Sequence, residues 1–222
     1  MRGGIMTDWL EPDSFGQDQG VAASRLPFPI TLTGDGVVLR EWRSDDLGDL
    51  IELLDDPDIA RWTPMPSPFD TEAGVAYLKR ARQGRMSGQR LQLAITERGG
   101  RPLGEVLLFG IDAGLKEAEL GYLVGARHRR RGLASGSLSL LSAYAGSTLK
   151  LSRLLLRIDP ANTASAAVAR RCGYTLTGEA PILQVGPHGP SSLDTWEMMT
   201  GHPGSRLDRL KNVAARRYGR RT

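Results

Sequence analysis

A run of arginines directly before a glycine is the strongest chemical signal in this sequence. The segment contains Arg127, Arg129, Arg130, Arg131 and then Gly132, and the residues that follow have the spacing of a helix. A glycine at a helix start lets a ligand approach the backbone, and the free N–H groups of the first turn bind anions such as phosphate. Arginine adds charge-assisted contacts to the same anion. These residues indicate a phosphate or pyrophosphate site, and a solvated basic turn is the alternative.

Two polar residues on a second predicted helix, 162–172, are candidates for a different task. Asn162 stands in the position of a helix N-cap. Ser165 shares a helical face with Val168 and Cys172, and we expect that face to turn toward the sheet. A buried hydroxyl without a partner destabilises a fold by about 1–3 kcal/mol. Either the carbonyl four residues earlier or a substrate atom must therefore satisfy Ser165.

Two glutamates on predicted strands could accept a proton from a substrate. Glu119 and Gly121 share a strand face if the alternation holds, and Glu105 lies on the neighbouring strand. Either carboxylate could act as a general base, directly or through water. Both could instead be solvated strand residues, and between the two we favour Glu119.

The elements that must position these residues alternate between strands and helices, which predicts an α/β protein. The predicted strands are 37–42, 92–98, 102–112, 116–124, 154–158, 174–178 and 193–199, and the predicted helices are 45–62, 71–87, 132–149 and 162–172. Three consecutive strands with short glycine-containing turns form a meander, so we expect them to be antiparallel. The candidate site residues then lie on the meander strands, at the end of the third of these strands and at the starts of the two helices that follow.

Length and composition favour one domain with appendages. The chain has 222 residues, 40% of them hydrophobic, with one cysteine and three widely spaced histidines. These counts exclude an internal disulfide and argue against a metal site. Residues 1–35 are predicted to be a loose leader, 36–200 the domain and 201–222 a basic tail that could be helical. The absence of an apolar signal or spanning segment predicts a cytoplasmic protein without a membrane partner.

Charge is unevenly distributed along the chain. Residues 206–222 carry seven Lys and Arg against one Asp, and this tail is either a solvated helix or a contact for RNA, the ribosome or a membrane surface. We expect any nucleic-acid contact to use the tail alone.

The first predicted helix and its end carry seven acids and no Lys or Arg among them, so the charge of this helix could attract a cationic amine. These acids are Asp45, Asp46, Asp49, Glu52, Asp55, Asp56 and Asp58.

Several motifs together resemble one enzyme family. The pattern Arg129-x-x-Gly132-x-Ala134 resembles the Q/R-x-x-G-x-G/A pyrophosphate loop of the GNAT N-acetyltransferase superfamily. The segments ELGY, DPANTAS and CGYTLTG resemble, in order and spacing, the RimJ/RimL-like branch, which acetylates protein N-termini and related amines; they begin at Glu119, Asp159 and Cys172. The resemblance covers about residues 37–199. It implies a mixed, mostly antiparallel central sheet of about six or seven strands flanked by helices.

The resemblance also implies acetyl-CoA as the acyl donor and no metal. The resemblance implies that the pantetheine arm of the cofactor lies against the backbone of Tyr122, Leu123 and Val124, and that Asn162 and Ser165 contact the arm and the thioester. It also implies that Arg129 contacts the phosphates. The N–H groups implied to bind the diphosphate are those of Arg130, Arg131, Gly132, Leu133 and Ala134. An N–H near Leu123 or Val124 could also stabilise the oxyanion.

The catalytic assignment departs from the family at one position. Many relatives carry a tyrosine seven residues after the asparagine as general acid, and that position is Ala169 here. Ser165 is therefore our candidate for protonating the leaving thiolate, with Glu119 or Glu105 as base. Some relatives place a carboxylate at a position that matches Gln184.

The predicted function is direct transfer of an acetyl group from acetyl-CoA to a primary amine in a ternary complex. A protein α-amine is the favoured acceptor, because its pKa of about 8 leaves far more neutral amine at pH 7 than the lysine value of about 10.4. The alternatives are a small-amine or aminoglycoside-type acetyltransferase, and a non-catalytic module that binds acyl-CoA or RNA. Homodimerisation stays open.

Overall fold

The computed structural model describes residues 26–34, 36–186 and 189–201. Within these ranges the strands are β1 (Thr31–Gly34), β2 (Val37–Glu41), β3 (Leu91–Thr96), β4 (Pro102–Asp112), β5 (Glu117–Val124), β6 (Arg153–Ile158), β7 (Thr175–Leu176), β8 (Ile182–Gly186) and β9 (Gly189–Met199). The α-helices are α1 (Leu47–Leu54), α2 (Pro57–Trp62), α3 (Thr71–Ser87), α4 (Leu133–Ser147) and α5 (Thr163–Cys172). Short 3₁₀ turns precede α1 and α4.

The strands form one mixed sheet in the order β1-β2-β3-β4-β5-β6-β9-β7, with β8 paired to the other end of β9. Every pairing is antiparallel except that of β5 with β6. The predicted α/β class and the antiparallel meander are confirmed. The expected six or seven strands are too few, because the sheet has nine strands and the sequence pattern does not indicate β1 and β8.

The predicted loose leader ends too late. Thr31–Gly34 pairs with β2 as an edge strand, and Leu26 and Ile30 before it are buried in the core. The Arg85 guanidinium donates to the Leu26 carbonyl at 3.1 Å and anchors this approach. A strand of four residues is too short to show an alternation of apolar and polar residues. The prolines and glycines around it are typical of a loop. Residues 1–25 of the predicted leader and 202–222 of the predicted tail lie outside the described residues.

The single helix predicted over 45–62 is in fact two helices. Asp56 caps α2 by accepting from Asp58 N at 2.8 Å, and Pro57 is its first residue. Proline disfavours a helical conformation in the residue before it and is well suited to a helix start. The break between α1 and α2 therefore follows from Pro57.

A buried ion pair fixes the entry to α1. Arg40 contacts Asp46 in a two-point arrangement, Nη1 to Oδ2 at 2.7 Å and Nη2 to Oδ1 at 2.8 Å, and both side chains are less than a tenth exposed. Burial raises the pKa of Asp46, but the hydrogen bonds from Arg40 and the Arg43 backbone outweigh it and hold that pKa below its usual value.

Helices cover both faces of the sheet and create two cores. On one face α4 and α5 pack through residues that include Leu138, Leu141 and Ala145. On the other, α1 to α3 bury Leu50 and Tyr77 against Leu123 of β5. Because alternate residues of β5 point to opposite faces, this strand presents side chains to both helical layers. Among the described residues, none of the helices is both long and apolar enough to cross a bilayer.

Candidate active site

The sheet opens where β5 and β6 part. These two strands pair only at Glu117, Ala118 and Glu119, although β5 stays paired with β4 as far as Val124. On its other edge, β6 pairs with β9 along its whole length, from Arg153 to Ile158. From Leu120 onward, the edge of β5 that faces β6 therefore has no strand partner in the described structure. An exposed strand edge can accept an extended ligand as an additional strand.

The loop after β5 presents its amides to solvent. Arg130 and Gly132 both have left-handed backbone, with φ of 63° and 79°, and α4 begins at the next residue, Leu133. The N–H groups from Arg130 to Ala134 make no hydrogen bond within the described residues. Successive amides in such a conformation form an anion-binding concavity, and the start of α4 adds its dipole. The predicted diphosphate loop thus has the geometry that it requires.

Gly132 is required for its conformation and not for space. A β-carbon built there would meet no heavy atom within 4 Å, whereas its φ of 79° disfavours L-residues. Arg130 adopts the same region without being glycine. Strain of this kind typically amounts to about 1–3 kcal/mol per residue and accumulates at functional sites.

Most arginine side chains of this loop are engaged by acids. Arg129 contacts Asp58 at 2.7 Å, and Arg131 contacts Glu97 at 2.5 Å. Arg127 contacts Glu52 at 3.2 Å. Surface pairs of this kind contribute only about 0–1 kcal/mol each, so a bound phosphate can compete with them. The predicted anion site therefore rests first on the backbone amides, which the amino-acid composition of the run does not reveal.

Ser165 lies over the opening and contacts β5 through Tyr122. The Ser165 hydroxyl is 2.9 Å from the Tyr122 hydroxyl, which also lies 2.8 Å from the Ser165 carbonyl oxygen. Asn162 caps α5 by accepting from Ser165 N at 3.0 Å. The predicted face of Ser165 is confirmed, and its partner is a side chain on β5 and not its own helix. Burial raises the pKa of Tyr122, so this phenol keeps its proton.

Glu119 is the last residue of β5 that pairs with β6, so it lies at the apex of the opening. The register places it opposite Phe109 and Gly121 opposite Leu107, which confirms that the two share one face. Its carboxylate is largely buried, with Oε2 at 3.4 Å from Arg157 Nε. Arg157 also donates to the Thr195 hydroxyl. Arg157 therefore places a positive charge next to this carboxylate.

Glu105 lies on the same face but is closed off from solvent. It is fully buried and accepts from Tyr77 at 2.6 Å, Gln92 at 2.9 Å and Trp42 at 3.4 Å. Burial raises its pKa, against the effect of these donors. It pairs with Leu123, four residues along β5 from Glu119. A carboxylate without an opening to solvent does not serve an incoming amine, so we do not retain Glu105 as a base.

Four of the seven acids of the first predicted helix are paired with arginines, so they attract a cationic amine less than the segment alone indicates. Arg101 contacts both Asp49 at 2.7 Å and Glu52 at 2.5 Å. Asp46 is bound by Arg40, and Asp58 by the loop arginine described above. These partners come from distant parts of the sequence, so the absence of Lys and Arg within the helix is misleading.

Several residues around the site were missed by the sequence pattern. Arg157 and Thr195 were not singled out, although the alternation of β6 does place Arg157 on the face of Glu119. The Tyr122 side chain was also missed, since only its backbone was assigned a role. Gln184 is buried on β8 opposite Ser191, away from the β5 edge in the pairing order.

Comparison with known proteins identifies the family. Residues 37–175 match the family model described as "Acetyltransferase (GNAT) domain". A curated relative, "Uncharacterized N-acetyltransferase p20" of Bacillus licheniformis, is 23% identical over 149 residues, covering 67% of this chain and 84% of the relative.

Solved structures with the same fold include Mycobacterium smegmatis RimJ in complex with CoA-disulfide, at 22% identity and a TM-score of 0.69, covering 84% of this chain and 96% of that one. Another is spermidine N-acetyltransferase from Vibrio cholerae in complex with CoA and spermine, at 15% identity and a TM-score of 0.63, covering 75% and 97%. These likenesses support the fold, and the family match extends over more than half of the chain. The chain therefore belongs to the GNAT family of acetyltransferases.

Proposed function

We propose that this protein transfers an acetyl group from acetyl-CoA to the α-amine of a protein or peptide N-terminus. The observation that carries the proposal is the free edge of β5, which runs directly into a loop of unbonded amides at the start of α4. An extended arm ending in a diphosphate requires both features in this order. Ser165 lies over the same opening.

The residues present fit acetyl-CoA. The amides of Arg130 to Ala134 would hold the diphosphate, and the β5 backbone from Tyr122 to Val124 would pair with the pantetheine arm. Asn162 and Ser165 would contact the arm close to the thioester. When bound, the thioester supplies the acetyl group and a thiolate leaving group. The transferase domain that we propose begins at residue 26 and not at 36, because Leu26, Ile30 and β1 belong to the core.

The proposed reaction balances without a covalent enzyme intermediate. The amine nitrogen forms a bond to the acetyl carbon, the carbon–sulphur bond breaks, and the electron pair remains on sulphur. The nitrogen loses one proton, and the thiolate takes one proton from water. An alcohol is a much weaker acid than a thiol, so Ser165 acts best as a hydrogen-bond donor that stabilises the forming thiolate. Glu119, at the apex of the opening, is the candidate acceptor of the amine proton.

The engagement of the candidate base favours an α-amine. Glu119 already contacts Arg157, with Oε2 3.4 Å from Nε, so an acceptor that needs little help in losing its proton suits this site best. An α-amine with a pKa of about 8 is about a tenth neutral at pH 7, whereas a lysine amine with a pKa of about 10.4 is neutral in fewer than about one molecule in a thousand. An acceptor that deprotonates readily is therefore the one that this site can serve.

A competition between two amines in one molecule tests the proposal. A peptide with a free N-terminus and an internal lysine is incubated with acetyl-CoA, and the modified position is located by fragmentation mass spectrometry. Spermidine and an aminoglycoside are run as separate acceptors. We expect acetylation of the α-amine. Exclusive modification of the lysine, or faster turnover of spermidine, would contradict the choice of acceptor, and binding of acetyl-CoA without transfer to any amine would contradict the activity.

A further inference from the structure

The side chain of Tyr122 bridges the open edge of β5 and the start of α5. Its hydroxyl lies within hydrogen-bond distance of two oxygens of one residue, the Ser165 hydroxyl at 2.9 Å and the Ser165 carbonyl at 2.8 Å. Tyr122 belongs to the part of β5 that has left β6, so the contact spans the opening. The phenol is therefore beside the residue that we propose to meet the leaving sulphur.

The protons available to this pair permit two arrangements. In the first, the phenol donates to the Ser165 carbonyl, and the Ser165 hydroxyl must then donate its own proton to the phenol oxygen. In the second, the phenol donates to the Ser165 hydroxyl, which leaves the serine proton free to point into the opening. A carbonyl inside a helix already accepts from the amide four residues later, so it does not depend on the phenol. The second arrangement is the one that supplies a donor to a substrate atom.

We infer that Tyr122 is a positioning residue for acetyl transfer, whose hydrogen bond to the Ser165 hydroxyl directs the serine proton toward the sulphur that leaves as thiolate. This inference rests on the proposed function. The phenol neither gains nor loses a proton in the reaction, because burial keeps it in its neutral form. Donation by the phenol also polarises the serine hydroxyl and strengthens its own donation.

The chain contains a matched control for this pair. Tyr174 and Ser142 form a second hydrogen bond between a buried phenol and a serine hydroxyl, at 2.8 Å. Both residues are almost inaccessible, and neither lies on the β5 edge or in the loop before α4. Tyr174→Phe therefore removes the same chemical group from the fold, but from a residue that does not contact Ser165.

A double-mutant cycle tests whether Tyr122 acts through Ser165. We expect Tyr122→Phe to lower kcat about tenfold, the effect of one hydrogen bond, with the KM for acetyl-CoA nearly unchanged. In the background of Ser165→Ala, the same change should lower kcat by less than about twofold. Tyr174→Phe should reduce thermal stability and leave kcat at the wild-type level. An unchanged kcat in folded Tyr122→Phe, or losses that multiply in the double variant, would overturn the inference.

Ligand affinity gives a second readout that does not require turnover. Free CoA has a thiol that ionises at alkaline pH, whereas acetyl-CoA has none. If Ser165 stabilises the thiolate, calorimetry should show that the affinity for CoA rises relative to that for acetyl-CoA as the pH approaches the pKa of the free thiol. This pH-dependent gain in affinity for CoA should be several-fold smaller in Tyr122→Phe and should be unchanged in Tyr174→Phe. An equal gain in wild type and Tyr122→Phe overturns the inference, even if transfer to amines is observed.

The two readouts separate the two proposals. If wild type binds CoA with the expected pH dependence but acetylates no amine, the proposed function fails while the role of Tyr122 in orienting Ser165 is supported. If wild type acetylates an amine and Tyr122→Phe is indistinguishable from it, only the role of Tyr122 fails. No binding of CoA at all overturns both.

Discussion

Replacing Gly132 by aspartate and by asparagine isolates the charge at the proposed diphosphate site. Both side chains are nearly the same size, and a β-carbon here meets no heavy atom within 4 Å. Both also tolerate the left-handed conformation, with φ of 79°, better than other residues because their side chains can hydrogen-bond locally. The two variants therefore carry the same conformational penalty and differ in one negative charge.

The size of the charge effect follows from the position of the residue. A carboxylate here precedes α4 directly and would lie close to any anion held by the loop. At about 5 Å from a phosphate charge, with an effective dielectric constant between about 20 and 80, the repulsion is about 1–3 kcal/mol. That corresponds to an affinity loss of about 5- to 150-fold. A negative charge at a helix start stabilises the helix itself, so the loss of affinity is expected without a loss of stability.

Calorimetric titration with CoA in low and high salt measures this difference. We expect Gly132→Asp to bind CoA at least about fivefold more weakly than Gly132→Asn, and we expect the gap to narrow in high salt as the charges are screened. The unfolding temperature of each variant is measured in parallel. Equal affinities of the two variants, when both are folded, would show that no phosphate sits at this loop and would refute the assignment of the site.

Three further substitutions test two buried carboxyl groups and one strained backbone position. Burial raises the pKa of Glu105, so ionisation of this carboxyl destabilises the folded state above the unfolded carboxyl pKa of about 4.3. The unfolding temperature of Glu105→Gln, relative to that of wild type, should therefore increase from about pH 5 to about pH 8, and acetyl transfer should be retained. Equal pH profiles of the two proteins, or loss of transfer, would contradict this. The pKa of Asp46 is lowered, so its contribution to the stability of the fold is present at neutral pH and lost in acid. Asp46→Asn should reduce the free energy of unfolding by about 3 kcal/mol, measured by urea titration at neutral pH. An unchanged free energy of unfolding would refute the importance of its pair with Arg40. Arg130→Gly relieves left-handed backbone and should raise the free energy of unfolding by about 1 kcal/mol, whereas a decrease would show that the arginine side chain stabilises the loop.

Local signals in the sequence predict the parts of this fold that depend on neighbours along the chain. The helix predicted over 71–87 matches α3 at both ends, because Asp70 caps its start and Gly88 ends it in left-handed backbone. The face of Ser165 and the N-cap role of Asn162 also follow from helical spacing. The break at Pro57 has an equally local cause, and it was missed because the apolar period continues across it.

Long-range pairing decides what the sequence does not show. The arginines of the loop before α4 are partnered by Glu52, Asp58 and Glu97, which are between 34 and 75 residues away. The isolation of Glu105 depends on three donors from distant parts of the chain, one on α3, one on β3 and one just after β2. A count of charges along one segment cannot reveal such partners, because the fold alone brings them together. Predictions about charged residues were therefore less accurate than predictions about helices.

Initial-rate kinetics with both substrates varied tests the central claim most directly. Acetyl-CoA and a peptide with a free N-terminus are varied against each other, and release of the CoA thiol is followed with time. Direct attack in a ternary complex predicts reciprocal plots that intersect, with a rate that depends on the amine. Parallel plots would indicate an acetylated enzyme intermediate. Parallel plots, or thiol release that is independent of the amine, would contradict the account.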